Sequence, residues 1–104
     1  MTFEIKLKSG FFRTESWYLT LRPGQLTMTP QDGDPNRRRV MAQEEVQSIC
    51  IIRHNSRAGD VEIVSRDVTY VGSFTTPGDM EEAARILAQI FPSRFSMQFN
   101  GYQT

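Results

Sequence analysis

The feature that most limits what this chain can fold into is a change of hydrophobic period late in the sequence. Up to Phe74, apolar residues alternate with polar ones in short runs separated by turn-forming residues, the period-two pattern of half-buried strands. Beyond that point Met80, Ala83, Ala84, Leu87, Ile90 and Phe91 fall on one stripe of an α-helix, with Glu81, Glu82, Arg85 and Gln89 on the other side. The expected order is strands first, then a single amphipathic helix. Two starts for that helix fit. Asp79 can cap it, with Glu82 at capping-box spacing and both acids at the positive end of the helix dipole. Alternatively, Thr76 is the cap and Pro77 the first helical residue. Pro92 ends the helix or lies just beyond its end.

The strands can be placed one at a time. Phe3, Ile5 and Leu7 alternate with Glu4, Lys6 and Lys8 before Ser9-Gly10 interrupts them. Phe11-Phe12-Arg13 either continues this strand past a bulge or belongs to the following loop. Trp17, Leu19 and Leu21 alternate with Tyr18 and Thr20, and after Arg22-Pro23-Gly24-Gln25 the alternation resumes in Leu26 and Met28. This is a hairpin: Pro23 presets φ at the second turn position and Gly24 accepts positive φ at the third, as a type II turn requires. Pro30 to Asn36 is the most loop-like stretch, and Arg39 to Ala42 reads as a short strand. Val46 to Arg53 carries the near-continuous run Ile49-Cys50-Ile51-Ile52, as expected of a strand covered on both sides. Val61-Glu62-Ile63 and Val68 to Phe74 add two more strands across Ser65-Arg66-Asp67. About seven strands at hairpin spacing predict an antiparallel sandwich or small barrel. After the helix, Phe95, Met97 and Phe99 alternate with Ser96 and Gln98. An extra strand, a segment folded onto the barrel and a partner-binding tail all fit that pattern. The expected organisation is one domain over residues 1–92 and a C-terminal extension over 93–104.

A chain of 104 residues encloses one hydrophobic core and is too short for two ordinary ones. Lys+Arg and Asp+Glu are both twelve, so net charge supplies no long-range attraction to nucleic acid, and nucleic-acid binding is not expected. Any attraction to an anionic surface has to be local. Ten of the twelve cations are arginine, which suits bidentate contacts to carboxylate or phosphate. Cys50 is the only cysteine, which rules out an intrachain disulfide and fits a reducing compartment. No apolar run is long enough for a signal peptide or a membrane span. A soluble, cytoplasmic protein is expected, without a cofactor.

Strands in this number followed by one amphipathic helix is the element order of the pleckstrin-homology (PH) superfold. Trp17-Tyr18-Leu19-Thr20-Leu21 through Gln25-Leu26-Thr27-Met28-Thr29 resembles the hairpin of GRAM and bacterial PH-like domains, and Val46-Gln47-Ser48-Ile49 is similar to the segment opening their fifth strand. The resemblance spans about Phe3 to Phe91. It implies two nearly orthogonal antiparallel sheets forming a barrel, with the helix plugging its open corner. There are two departures. Phosphoinositide-binding PH domains carry basic residues just before the tryptophan of the second strand, whereas Arg13-Thr14-Glu15-Ser16-Trp17 puts an acid there. The helix also lacks the tryptophan common in eukaryotic PH domains, which points toward the GRAM or bacterial PH-like branch.

Catalytic chemistry finds no foothold. His54 is the only histidine and sits in a turn without a second histidine or a helix-spaced carboxylate, so it reads as a solvated turn residue. Cys50 lies in the most apolar strand and reads as packing. Glu44-Glu45 and Glu81-Glu82 are adjacent pairs whose side chains diverge, unsuited to paired-carboxylate chemistry. No phosphate-loop or dinucleotide fingerprint is present. The remaining cluster is Arg37-Arg38-Arg39. In a PH-like topology its loop shares one barrel end with Lys8, Arg13 and the turn carrying Arg66. Those six cations would form a rim for anionic lipid headgroups or an acidic partner, with Phe11 and Phe12 inserting beside it. The competing reading has Asp32, Asp34 and Asp67 neutralising the rim locally and Phe11-Phe12 packing into the core. The expected function is a non-catalytic module that recruits a protein partner through a strand edge or a helix groove. Peripheral binding to anionic lipid through the rim is the alternative, and homo-oligomerisation through an exposed edge is compatible with either.

Overall fold

Period-two alternation becomes eight strands in the computed structural model, which describes residues 1–10, 12–55 and 58–99. They are β1 (Thr2–Lys8), β2 (Thr14–Arg22), β3 (Gln25–Pro30), β4 (Arg39–Ala42), β5 (Val46–Arg53), β6 (Asp60–Ser65), β7 (Thr69–Phe74) and β8 (Phe95–Phe99), with the helix α1 (Pro77–Ile90) between the last two. The fold is therefore mainly β with one helix, as expected. The strand count is one higher than expected, because the segment after the helix pairs with the sheet. Hydrogen bonds join all eight in the order β4-β3-β2-β1-β7-β6-β5-β8. The ladder is thus one continuous run rather than two separate sheets, with β1 bonded to β2 on one side and to β7 on the other.

The β2–β3 hairpin closes as its turn residues require: Arg22 faces Gln25, and Gly24 takes φ +71°. Nothing lies within 4 Å of where a Cβ on Gly24 would sit, so its conformation and not its size calls for glycine. Size matters instead at Gly72, opposite Leu7 in the short β1–β7 ladder. A Cβ there would collide with the Lys6 carbonyl oxygen and come within 2.9 Å of Leu7 Cδ2.

Inward-facing Phe3, Ile5, Leu19, Met28, Met41, Ile49 and Ile63 join Met80, Leu87 and Phe91 in one buried cluster. Strands from opposite ends of the order feed this one core, so the sheet has to curl around it, and α1 packs into the space left, against β2, β7 and β8. The helix starts at the alternative cap. Thr76 Oγ1 accepts the Asp79 amide at 3.0 Å and Pro77 occupies the first turn. Proline wins this competition because its φ is already helical and it has no amide hydrogen to leave unpaired. Asp79 then sits inside the first turn, where its charge still meets the helix dipole favourably.

Two further expectations change. β5 buries Val46, Ile49 and Ile51, but Cys50 and Ile52 on its other face are only half-buried, so the strand is fully covered on one side alone. β8 lies parallel to β5, from Ile49 beside Phe95 to Arg53 beside Phe99. Arg94 fastens its start: Ile49 N–H donates to the Arg94 carbonyl at 2.9 Å, and Arg94 Nε donates to the Val46 carbonyl at 2.6 Å. Among the described residues, no helix is long and apolar enough to cross a membrane.

Candidate functional site

Antiparallel registers decide which loops are neighbours. β1 ends, β2 begins, β3 ends, β4 begins, β6 ends and β7 begins at the same end of the curled sheet. Lys8, Arg13, Arg37, Arg38, Arg39 and Arg66 all lie at that end. The β6–β7 turn is fixed by Ser65, whose hydroxyl donates to the Val68 carbonyl at 2.8 Å and accepts the Val68 amide at 3.2 Å. This leaves Arg66 and Asp67 exposed at the tip. Aspartates fold the β3–β4 loop, with Asp32 accepting the Asp34 amide and Asp34 accepting the Asn36 amide.

Arg37 stands apart from the other five. Its Nη2 donates to Glu15 at 2.6 Å, its Nη1 reaches Asp32 at 3.4 Å, and its guanidinium lies 5.3 Å from the centroid of the Trp17 ring. Trp17 Nε1 donates to the same Glu15 oxygen at 3.2 Å. The Arg37 guanidinium, and then the indole N–H, hold the Glu15 carboxyl below the usual carboxylate range. The acid that departs from the basic pattern of phosphoinositide-binding domains is thus the anchor of the β3–β4 loop. Trp17 also meets Tyr70 at 6.1 Å. Burial pushes the Tyr70 hydroxyl up, with the Arg39 charge opposing.

Lys8, Arg13, Arg38 and Arg66 are exposed, Arg39 is half-buried, and none of the five forms an ion pair with a described residue. Among the described residues, close ion pairing within this group therefore falls on Arg37 alone, through Asp32 and through Glu15, an acid outside the three expected to do it, while the Asp34 charge also favours the Arg37 cation. Phe12 is 94% exposed in the loop between Lys8 and Arg13, and Phe11 lies outside the described residues.

His54 is not the solvated residue expected. Its Nε2 meets Asp60 Oδ2 at 2.9 Å with the side chain only 12% exposed, because the β5–β6 register places Asp60 beside Ile52, two residues away. Among the described residues, no three His, Cys, Asp or Glu side chains gather as a metal site would need.

The second candidate surface is made of backbone. β4 and β8 are the outer strands of the open order. β4 is four residues long and runs straight into the 3₁₀ turn Gln43–Glu45, where Glu45 Oε1 accepts the Ala42 amide at 3.0 Å. A short strand with an arginine at its start is a blunted edge. β8 is less protected: Met97 is 39% and Phe99 61% exposed. Since Ile49 donates to Arg94, the alternation of a parallel ladder turns Ser96 and Gln98 toward β5 and leaves the Met97 amide facing outward.

No family model matches the sequence, and no curated protein matches it. Among solved structures, the chain is similar to one in the structure of the Spt16D Pob3N heterodimer, with a TM-score of 0.67 at 14% sequence identity. The match covers 99% of this chain and 55% of that one, so the chain spans little more than half of its structural relative. This likeness concerns the fold alone and supports one of the PH-like kind.

Proposed function

We propose that the domain is a non-catalytic module that recruits a protein partner by pairing an extended partner segment with the outer edge of β8. The observation carrying this reading is the open β8 edge, with outward backbone groups flanked by exposed Met97 and Phe99. Backbone pairing supplies affinity in such additions, and alternate side-chain contacts supply selectivity. That the similar fold was solved as part of a heterodimer supports a protein as the partner. Within the PH-like superfold, the Trp17 hairpin and the tryptophan-free helix favour the GRAM or bacterial PH-like branch, with the curled ladder serving as two near-orthogonal halves that meet at β1.

Met97→Pro is the direct test. It removes an outward amide without taking a hydrogen bond from the β5–β8 ladder. Cell extract passed over wild-type domain and over this variant is compared by quantitative mass spectrometry, and a retained protein is purified and rebound. The expected result is a partner bound by the wild type and lost with Met97→Pro, while the melting temperature changes little. Partners retained equally by both would remove the edge from the account.

One observation favours a second reading, peripheral attachment to anionic lipid: Phe12 is almost fully exposed beside Lys8 and Arg13. In that case the domain sediments with phosphatidylserine vesicles at low salt and is released by salt, and both Phe12→Ser and Arg13→Ala/Arg66→Ala weaken sedimentation. An absence of sedimentation at low salt rejects it.

A further inference from the structure

The outer face of β2 and β3 carries a further site, which shares only Arg38 with the basic rim. The alternation that turns Trp17, Leu19, Leu21, Leu26 and Met28 into the core sends Thr20, Arg22, Gln25, Thr27 and Thr29 the other way. With Arg38 they line a cavity of about 280 Å³. Its layout follows from the register. Arg22 faces Gln25 and Thr20 faces Thr27 across the hairpin, while Arg39 faces Met28, which sets Arg38 beside Thr29. One guanidinium stands at each end of a floor of threonine hydroxyls.

The lining is chemically one-sided. It offers two guanidinium groups, three hydroxyls and one carboxamide, with no acid among them. Neither Arg22 nor Arg38 pairs with a described acid, although the adjacent Arg37 binds two. The Thr20 hydroxyl shares a hydrogen bond with Thr2 at 3.0 Å, whereas those of Thr27 and Thr29 bond to no described residue. Thr27 is only 7% exposed, yet its hydroxyl is accessible, since among the described residues no buried side-chain oxygen is left without a partner. Two like charges directed into one concavity repel each other, and an anion between them turns that repulsion into charge-assisted hydrogen bonds.

We infer that this groove binds a small, elongated oxyanion carrying charge at both ends. The four residue steps from Gln25 to Thr29 separate the backbones beside the two arginines by about 14 Å, at about 3.4 Å per residue. A single-centre anion therefore engages one guanidinium well, while an elongated one engages both. A diphosphate and a short polycarboxylate share this disposition of charge.

Two-dimensional ¹H–¹⁵N NMR titration at constant ionic strength tests the assignment, with pyrophosphate, citrate and orthophosphate as probes. Pyrophosphate or citrate is expected to give saturable shifts at Thr20, Arg22, Gln25, Thr27, Thr29 and Arg38, and to bind at least about tenfold more tightly than orthophosphate. Binding of pyrophosphate alone identifies the phosphoryl group as the recognised chemistry, and binding of both identifies the spacing of charge. Arg22→Gln/Arg38→Gln is expected to weaken binding at least about tenfold. Arg13→Gln/Arg66→Gln, at the sheet end, leaves it unchanged. Thr27→Val, which keeps the shape and removes the hydroxyl, weakens binding severalfold in a protein whose spectrum otherwise matches wild type. Shifts that follow ionic strength alone, equal affinity for orthophosphate, or equal loss in the Arg13/Arg66 variant would overturn the inference.

Discussion

Arg37 holds its place through contacts that are individually small. Exposed ion pairs contribute little on their own, and a single cation–aromatic contact at the surface adds only modestly. Their convergence fixes the β3–β4 loop, because Glu15 serves Arg37 and the Trp17 indole at once. This makes the loop sensitive to acid. A carboxyl held below its usual range when folded contributes fully above its ordinary value, and that contribution is lost as pH falls through the folded value. The Glu15 carboxyl is of that kind. Trp17, the only tryptophan, reports on it directly. Its fluorescence is expected to stay constant down to the ordinary glutamate range and to change only as pH falls below that range, before global unfolding. In Glu15→Gln the step disappears while Arg37 keeps a neutral acceptor. A step of unchanged size in that variant would assign the acid sensitivity to another group.

At the scale of elements, local signals decided existence and non-local geometry decided partnership. The helix stripe was legible in its spacing, and Met80, Ala83, Ala84, Leu87 and Phe91 are all buried, yet its start was balanced between two caps that each satisfy the first turn. Thr76→Ala is expected to cost about 1 kcal/mol in urea unfolding. Asp79→Ala, which removes only a charge near the dipole, is expected to cost about 0.5 kcal/mol. The reverse ranking would make Asp79 the working cap. β8 was legible as alternation, but its pairing was not, since a parallel partner is reached only after α1 has crossed back and Arg94 has found the Val46 carbonyl 48 residues away. The arginine cluster was equally plain in the sequence. The 22-residue separation between Arg37 and Glu15 hid the pair that sets Arg37 apart. On the outer face, the threonines and Arg22 follow simple period two, whereas the concavity they line depends on how the sheet twists, which no run of residues encodes.

For the whole molecule, the decisive question is whether the two halves of the curled sheet are one cooperative unit. They meet at the three facing pairs from Ile5–Phe74 to Leu7–Gly72. One buried cluster nonetheless spans both halves and the helix, so separating them exposes the entire core rather than one side of it. Gly72→Val concentrates the question at a single atom, because its added Cβ meets the Lys6 carbonyl oxygen and the Leu7 backbone as well as Leu7 Cδ2, so moving one side chain does not relieve it. Backbone has little room to yield in a short ladder. The expected loss is about 3 kcal/mol or more, at the upper end of overpacking costs and a large part of the roughly 5–15 kcal/mol available to a small domain. Leu87→Ala, on the helix and far from that junction in sequence, is expected to lose about 2–5 kcal/mol by leaving a cavity in the same core. If the core is shared, Trp17 fluorescence on β2 and helical ellipticity from α1 fall at one urea midpoint in wild type and in both variants. Separate midpoints in Gly72→Val, with β2 and β3 surviving the loss of the helix, would mean that the β4-to-β1 half folds alone and that the helix belongs to the other half.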